Sequence, residues 1–509
     1  GSEMCIRDRY RRREAPTNFN PFTTSGWTNE YIRWCFEFLF YYNHLNDTII
    51  PWLATGFEYG DNYRSLTIYL RKGVTWNDGV PLTSKDVVFT VNMLKKHPEL
   101  VTAAWVRSKI KDVEAIDDYT VKITLYEPNA RFHWDITSLI CFPWLWIVPE
   151  HVWSKVEDPI KFMNYPDPVW TGPYKVIKAT EEETVFVRNP DYWATKVFGV
   201  VPQPKYIIVK YVGEAEKIAM AIEKNEIDVA SMDYRVFVEA SKRNPNLRFW
   251  SQPGVCPTLL DVNIHKYPLS LKEVRWAISY AINRTKLIEI AHGLAMPAWT
   301  MYWAPYPGNI KYLNKTLLAK YNFTVYDPEK SIEILKSLGF KRGPDGVWVT
   351  PNGTRLEFEL ETGIPTPPLW LAVVEDLNAI GIKVTPKPLE WAVRWSHHAK
   401  LEYDMWASWA QVGAVGTPYI FFDHFNSKYI VPIGQEAGEG FNRIRFKNET
   451  YDKYLTELGT IPDGDPRSYE LYSKMLEILL QELPRIPLIC GLEYRVVNEY
   501  YWTNWPSSY

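Results

Sequence analysis

Between Leu66 and Met93 the hydrophobic period changes from two to that of a helix, with turn signals at the joint. Leu66 to Leu70 alternates like a strand, Gly73 and Asp78-Gly79 follow, and Thr83 with Asp86 three residues on forms a capping pair ahead of Val87, Val88 and Met93. The same mixture continues along the chain. Val121 to Leu125 reads as a strand, and Glu214 to Lys224 as a helix with Ile218, Ala221 and Ile222 on one side. Asn225 stands where a left-handed closing residue is expected, and a strand Ile227 to Ala230 comes next. Ser270 reads as a helix cap with Glu273 at the third position, ahead of Val274, Ala277, Ile278, Ala281 and Ile282. Asp327-Pro328 is a start signal and Gly339 a stop, while Asn352-Gly353 before Leu356, Phe358 and Leu360 predicts a hairpin. No fixed-period repeat points to a solenoid or propeller. The expectation is at least two mixed α/β lobes, with a boundary near residue 170 after the Pro166-Asp167-Pro168 stretch.

Several function classes fall away on elementary counts. At about 150 residues per domain, 509 residues allow roughly three units, and 46% apolar residues can fill several cores. Lys plus Arg (57) against Asp plus Glu (60) leaves a net charge of −3, which provides no overall field for nucleic acid or an anionic membrane. The longest apolar run, Ile136 to Val148, is broken by Pro143 and falls short of the ~20 residues that cross a bilayer. Five widely spaced cysteines without a CxxC pair suggest neither a zinc site nor a dense disulfide framework, and leave one or two bridges open. HExxH, GxSxG and P-loop spacings are absent, and His397-His398 and His424 lack the spacing of a metal site, so they read as solvated or structural. No cofactor or metal is expected. Residues 1–13, with Gly1-Ser2 and a basic stretch from Met4 to Arg13, read as a tag or non-native leader and are set aside from the fold.

A set of ordered motifs then resembles the family 5 solute-binding proteins of ABC importers. They are Leu70-Arg71-Lys72-Gly73-Val74 with Asp78-Gly79, Lys85-Asp86-Val87-Val88-Phe89, Thr171-Gly172-Pro173-Tyr174 and Arg188-Asn189-Pro190-Asp191-Tyr192-Trp193. Further on come Asn225-Glu226-Ile227-Asp228-Val229, Val274-Arg275-Trp276-Ala277-Ile278, Ala281-Ile282-Asn283-Arg284 and Tyr326-Asp327-Pro328-Glu329-Lys330. The resemblance runs from about Asn20 to Trp505; Asn225 replaces the family's usual Gly and Asn283 its usual Asp, both tolerable in a turn or cap. It implies an α/β, two-lobed periplasmic-binding-protein fold (type II, cluster C), with an extra subdomain in lobe I and a hinged interlobe cleft that closes on ligand. The expected division is 14–58, 171–262 and 491–509 for lobe I, 59–170 for its inserted subdomain, and 263–490 for lobe II. The implied partner is an ABC permease, and the implied location extracytoplasmic, periplasmic or at the cell surface, with a lipid anchor left open. The protein is expected to be a monomer that performs no chemistry.

The cargo must be read from the residues. A peptide receptor has to neutralise a free α-amino group, because an unpaired buried ammonium is costly. In the family's peptide binders an Asp follows a Trp by three residues; here Trp409 is followed at that distance by Val412, with Gln411 offering a neutral amide. Thr417-Pro418-Tyr419 resembles the sugar-binding branch. Sugar rings present flat C–H faces that indoles cover, and one covered face is worth roughly 2 to 3 kcal/mol at about 25 cal/mol per Å². The 23 Trp of this chain fit that need.

The expected ligand-binding residues are therefore Trp27, Asn263, Trp299, Trp303, Trp391, Trp395, Trp409, Gln411 and Tyr419. Each has a structural alternative. The tryptophans can be core, and Asn263 is as well suited to bonding backbone at a hinge. Alternation along Tyr403 to Trp409 puts Trp406 and Trp409 on opposite faces and assigns Trp406 to the core; Trp144 and Trp146 also read as core. The expected cargo is a β-linked gluco-oligosaccharide such as a cello-oligosaccharide. An oligopeptide is the alternative, with a nickel or haem cargo and a glycoside hydrolase, which needs two carboxylates at ~5 to 9 Å, more distant readings.

Overall fold

The computed structural model describes residues 3–6, 17–23, 32, 34–138, 145–213, 215–254, 256–298, 306–410, 416–438 and 442–505. The chain forms two compact units, one of residues 1–43, 48–252 and 493–509, the other of 44–47 and 253–492.

In the first unit an antiparallel sheet runs Ala54–Gly60, Ser65–Leu70, Thr120–Leu125, Ile110–Asp117. Thr120–Leu125 alternates half-buried and buried residues, as its sequence period requires. Helix Ser84–Lys96 begins at the expected capping box, Thr83 N–H donating to Asp86 Oδ2 at 2.8 Å. Leu66, Trp76, Val87, Ile123, Trp153 and Trp170 share one continuous core with Phe19, Phe22, Phe40, Phe186 and Val209. A second sheet of this unit contains Tyr174–Ala179, Glu183–Arg188 and Tyr206–Lys210. Against the expectation that residues 1–13 stand outside the fold, Glu3–Ile6 adds a parallel strand beside Tyr206–Lys210.

The second unit is built on the strand order Lys383–Pro388, Glu357–Thr362, Met405–Trp409, Thr258–Val262 and the first part of Arg485–Asn498. Helices Lys272–Ala281, Pro328–Ser337, Pro368–Ala379 and Pro466–Glu482 bury their apolar faces in the core of this unit.

Several motifs acquire physical reasons. A Cβ at Gly172 would lie 2.3 Å from the Cys35 carbonyl oxygen, so only glycine fits. Asn225 has φ +62°, the left-handed closure expected of it. Arg275 donates to the carbonyls of Glu482 and Leu483, satisfying the end of helix Pro466–Glu482. Asn283 caps helix Arg284–Ile290 by accepting from Lys286 N–H at 3.1 Å. The buried Arg284 guanidinium donates to Pro487 O and Ser279 O, and burial lowers its pKa to about 9.

One local expectation fails. Helix Lys272–Ala281 is capped by Leu271, not Ser270, which stays in the preceding turn, its N–H donating to Lys266 O at 2.9 Å and its carbonyl accepting from Arg275 Nη1 at 2.9 Å. The hairpin expected at Asn352-Gly353 forms: Gly353 makes its turn with φ +89°, Val349 and Arg355 bridge in antiparallel fashion, and Leu356 N–H donates back to Trp348 O at 2.8 Å, before the strand continues into parallel pairing with Lys383–Pro388 and Met405–Trp409. The tryptophan surplus is also largely structural. Trp76, Trp105, Trp134, Trp146, Trp153, Trp170, Trp193, Trp348, Trp370 and Trp406 are all buried, so composition alone overstates the ligand surface.

Candidate ligand-binding site

Helix Trp391–Lys400 places Trp391, Arg394, Trp395 and His398 at successive spacings of three, one and three residues, which is one helical face. Its neighbour, the strand Met405–Trp409, contributes Trp406 and Trp409. The rings of Trp391, Trp395 and Trp409 form a near-parallel triad. Centroid separations are 5.0 Å for Trp391–Trp395, 5.7 Å for Trp391–Trp409 and 6.2 Å for Trp395–Trp409, with interplanar angles of 29°, 21° and 15°. Trp395 and Trp409 are half-buried and Trp391 is 52% exposed. Such a triad presents an indole surface to solvent on a supported base.

The base is a column of alternating aromatic and cationic groups. Trp406, 1% exposed, has the His398 ring 4.1 Å from its centroid at 18° and the Arg394 guanidinium 4.1 Å from it. The Arg443 guanidinium lies 4.0 Å over Trp395. Trp406 Nε1 donates to Arg394 O at 3.1 Å, and Arg394 Nη2 donates to Ala407 O. Burial lowers the Arg394 pKa to about 10.

Behind the column lies a buried charge network. Asp261, fully buried, accepts from Arg485 Nε at 2.5 Å and Nη2 at 2.8 Å, and from His398 Nε2 at 3.0 Å. Burial pushes the Asp261 carboxyl up, but Arg485 and His398 outweigh it and hold the group below the usual carboxylate range. Burial lowers His398 to about 4, so the ring is neutral near pH 7. It then carries its proton on Nε2, toward Asp261, and its Nδ1 accepts from Arg443 Nη1 at 3.4 Å. Glu361, 2% exposed, accepts or shares a proton with His397 Nδ1 at 2.8 Å through Oε1, while its Oε2 is buried without a hydrogen-bond partner among the described residues. Burial raises the Glu361 pKa, against the pull of His397 and Lys387.

The expected site residues sort as follows. Trp391, Trp395 and Trp409 are brought together. Trp27, Trp299, Trp303 and Gln411 lie outside the described residues. Tyr419 is 9% exposed and packs in the main core of the second unit. Asn263 bonds backbone, the alternative given for it: its amide donates to Tyr403 O at 3.0 Å and Leu401 O at 3.4 Å, and its oxygen accepts from His265 N–H, so it clamps a loop. Trp406 is core, as expected, but it is not on the far side of the sheet from Trp409; their centroids are 5.6 Å apart. Trp409 ends its strand opposite Thr258. Asp261, Arg443 and Arg485 were not foreseen, and no sequence spacing links them. Arg394 and His398 could have been found from their helical spacing to Trp391 and Trp395.

Among the described residues no helix is long and apolar enough to cross a membrane, and no group of three or more His, Cys, Asp or Glu side chains could hold a metal ion. Residues 48–431 match the model of the bacterial extracellular solute-binding proteins, family 5 Middle. Heme-binding protein A of Haemophilus influenzae is 25% identical over 481 residues, covering 86% of this chain and 78% of that protein. The periplasmic oligopeptide-binding protein of an ABC transporter from Thermotoga maritima superposes with a TM-score of 0.88 at 29% identity, covering 100% of this chain and 94% of the other. The same Thermotoga protein with mannohexaose bound gives 0.82 at 28% identity and the same coverage.

Proposed function

The chain belongs to the bacterial extracellular solute-binding proteins of family 5 and is the substrate-binding component of an ABC transporter, and on that premise we propose that its cargo is an oligosaccharide. The observation that carries the reading is the Trp391–Trp395–Trp409 triad with Trp391 half open to solvent. Sugar C–H faces stack on such rings, and each covered indole face contributes roughly 2 to 3 kcal/mol before association costs. The mannohexaose held by the Thermotoga relative supports the same cargo class. We favour a β-linked gluco-oligosaccharide, whose extended chain lays successive faces along a flat aromatic surface. The nearest buried acids already serve protein partners, Asp261 to Arg485 and His398, Glu361 to His397.

A second reading has its own observation. One Glu361 oxygen lacks a partner among the described residues, and a carboxylate with spare acceptor capacity suits the ammonium of a peptide. The deciding experiment is a thermal-shift screen with cello-, manno-, xylo- and laminari-oligosaccharides beside a tripeptide mixture. A true cargo at a hundredfold excess over its Kd adds about 2.7 kcal/mol of stability. Stabilisation by an oligosaccharide is expected; stabilisation by peptides alone, abolished in Glu361→Gln, would replace the sugar reading with the peptide one.

A further inference from the structure

Val197, Phe198, Val200 and Val201 are 40%, 43%, 63% and 43% exposed, four large apolar side chains within five consecutive positions of the first unit. A water-facing surface ordinarily avoids such a run unless it has a use. The backbone holds it out. Helix Trp193–Phe198 ends at Gly199 with φ +70°, Gly199 N–H donates to Thr195 O, and Thr195 Oγ1 donates to Val200 O at 2.9 Å. Arg188 Nη1 anchors the far side on Pro202 O at 2.9 Å, and the Phe198 ring stacks on Trp52 at 5.5 Å and 25°.

The knuckle is surrounded by positive charge. The Arg71 guanidinium lies 4.8 Å over the Phe198 ring, and a Cβ at Gly73 would sit 3.6 Å from Val197, which brings the Arg71–Gly73 turn alongside. Lys72, Lys196 and Lys205 are exposed. From Trp193 to Tyr206 the chain has no acidic residue. The acids nearby are Asp191, just before the helix, Asp117, within electrostatic reach of Lys72, and the buried Glu37, which accepts from Trp52 Nε1 and Trp193 Nε1. Five cations, Arg71, Lys72, Arg188, Lys196 and Lys205, against these three acids leave the patch positive although the whole chain carries −3, and screening over about 8 Å at physiological salt makes the local balance the one that counts.

We propose that this knuckle rests on an anionic phospholipid surface. The valines and Phe198 enter the boundary between headgroups and acyl chains, and Arg71, Lys72, Lys196 and Lys205 face the phosphates. A second copy of the chain fits poorly, because a twofold contact through this patch would set its cations against themselves. An acidic protein loop would match the charge but offer no apolar layer for four exposed side chains. The contact is independent of which cargo the protein carries.

The test is co-sedimentation of the full chain with phosphatidylcholine vesicles, with and without phosphatidylglycerol, for the wild type, Val200→Asp/Val201→Asp and Lys196→Glu/Lys205→Glu. The expected result is partition onto the phosphatidylglycerol vesicles only, reduced about tenfold or more by either double variant at an unchanged melting temperature. The proposal is overturned if the wild type stays in the supernatant, if both double variants bind as the wild type does, or if the valine variant instead abolishes a concentration-dependent dimer seen by sedimentation velocity.

Discussion

His398 lies flat against Trp406, ring centroids 4.1 Å apart and planes 18° apart, while its Nε2–H is held by Asp261 at 3.0 Å. The Arg394 guanidinium also lies 4.1 Å from the Trp406 ring, and the buried tryptophan supports the exposed triad without reaching solvent itself. Trp406→Ala should therefore cost about 3 to 5 kcal/mol, the range for removing a large buried aromatic. Urea unfolding of the unliganded protein measures it; a loss below about 1 kcal/mol would show that the column collapses around the gap.

The same pair makes stability depend on pH. His398 in the fold titrates at about 4, below its ordinary 6.5, so between these values the unfolded chain binds the proton and the folded chain does not. Its contribution is complete above 6.5 and is lost as the pH falls toward 4, at up to about 1.4 kcal/mol per pH unit. Asp261, held below the usual carboxylate range, loses its contribution only at lower pH still. His398→Phe keeps a ring on Trp406 and cannot titrate. Unfolding curves at pH 7.5, 5.5 and 4.5 should show a shallower decline in that variant than in the wild type, and parallel declines would contradict the assignment.

Trp391, with half its surface in water, separates binding from folding better than Trp409, which is half-buried against Trp395 and Trp406. Trp391→Ala is expected to change stability by less than about 1 kcal/mol. Oligosaccharide affinity should fall about tenfold or more, which is ~1.4 kcal/mol of binding energy. Isothermal titration on the variant decides this, and unchanged affinity would remove Trp391 from the binding surface.

A buried carboxylate organises the first unit in a similar way. Glu37 accepts from Trp52 Nε1 and Trp193 Nε1, each at 2.8 Å, and from Tyr192 Oη, with no cation in that set. Burial raises its pKa despite these donors. Glu37→Ala would leave three donors without their acceptor, and a loss of about 3 kcal/mol or more is expected from denaturant midpoints. A loss within ~0.5 kcal/mol would mean that water replaces the carboxylate at no cost.

How far the sequence could be read follows from the range of the interactions involved. The capping box at Thr83 and Asp86, the left-handed Asn225 and the start at Asp327-Pro328 depend on neighbours within four residues, and each was legible. The turn at Asn352-Gly353 was equally local, bridging Val349 to Arg355, whereas the later pairing of Leu360 with Met405 is a choice made by the sheet as a whole. At the site, the helical spacing of Trp391 and Trp395 was available, but the contact of Trp409 with Trp406, three positions apart on one strand, runs against the alternation of strand faces. Asp261 and Arg485 meet across 224 positions of sequence, and a pair of that kind is visible only once the strands are in place.

Asn263 offers the sharpest separation of a structural role from a binding one. Its amide bridges Tyr403 O and Leu401 O, and its backbone N–H donates to Asp404 O at 2.9 Å, so it fixes the loop that enters the strand Met405–Trp409. Leu401 in that loop has φ +61°, a conformation that a branched residue adopts only when its surroundings hold it. Removing the clamp frees two carbonyls and a strained turn, so Asn263→Ala should lower stability by about 1 to 2 kcal/mol. The triad contacts its partners through rings, not through this loop's carbonyls, and cargo affinity at a temperature where the variant is fully folded should stay within about twofold of the wild type. Titration and unfolding measured on the same preparation test both halves. A tenfold loss of affinity at unchanged stability would return Asn263 to the ligand surface and identify its backbone bonds as ones it exchanges for cargo hydroxyls.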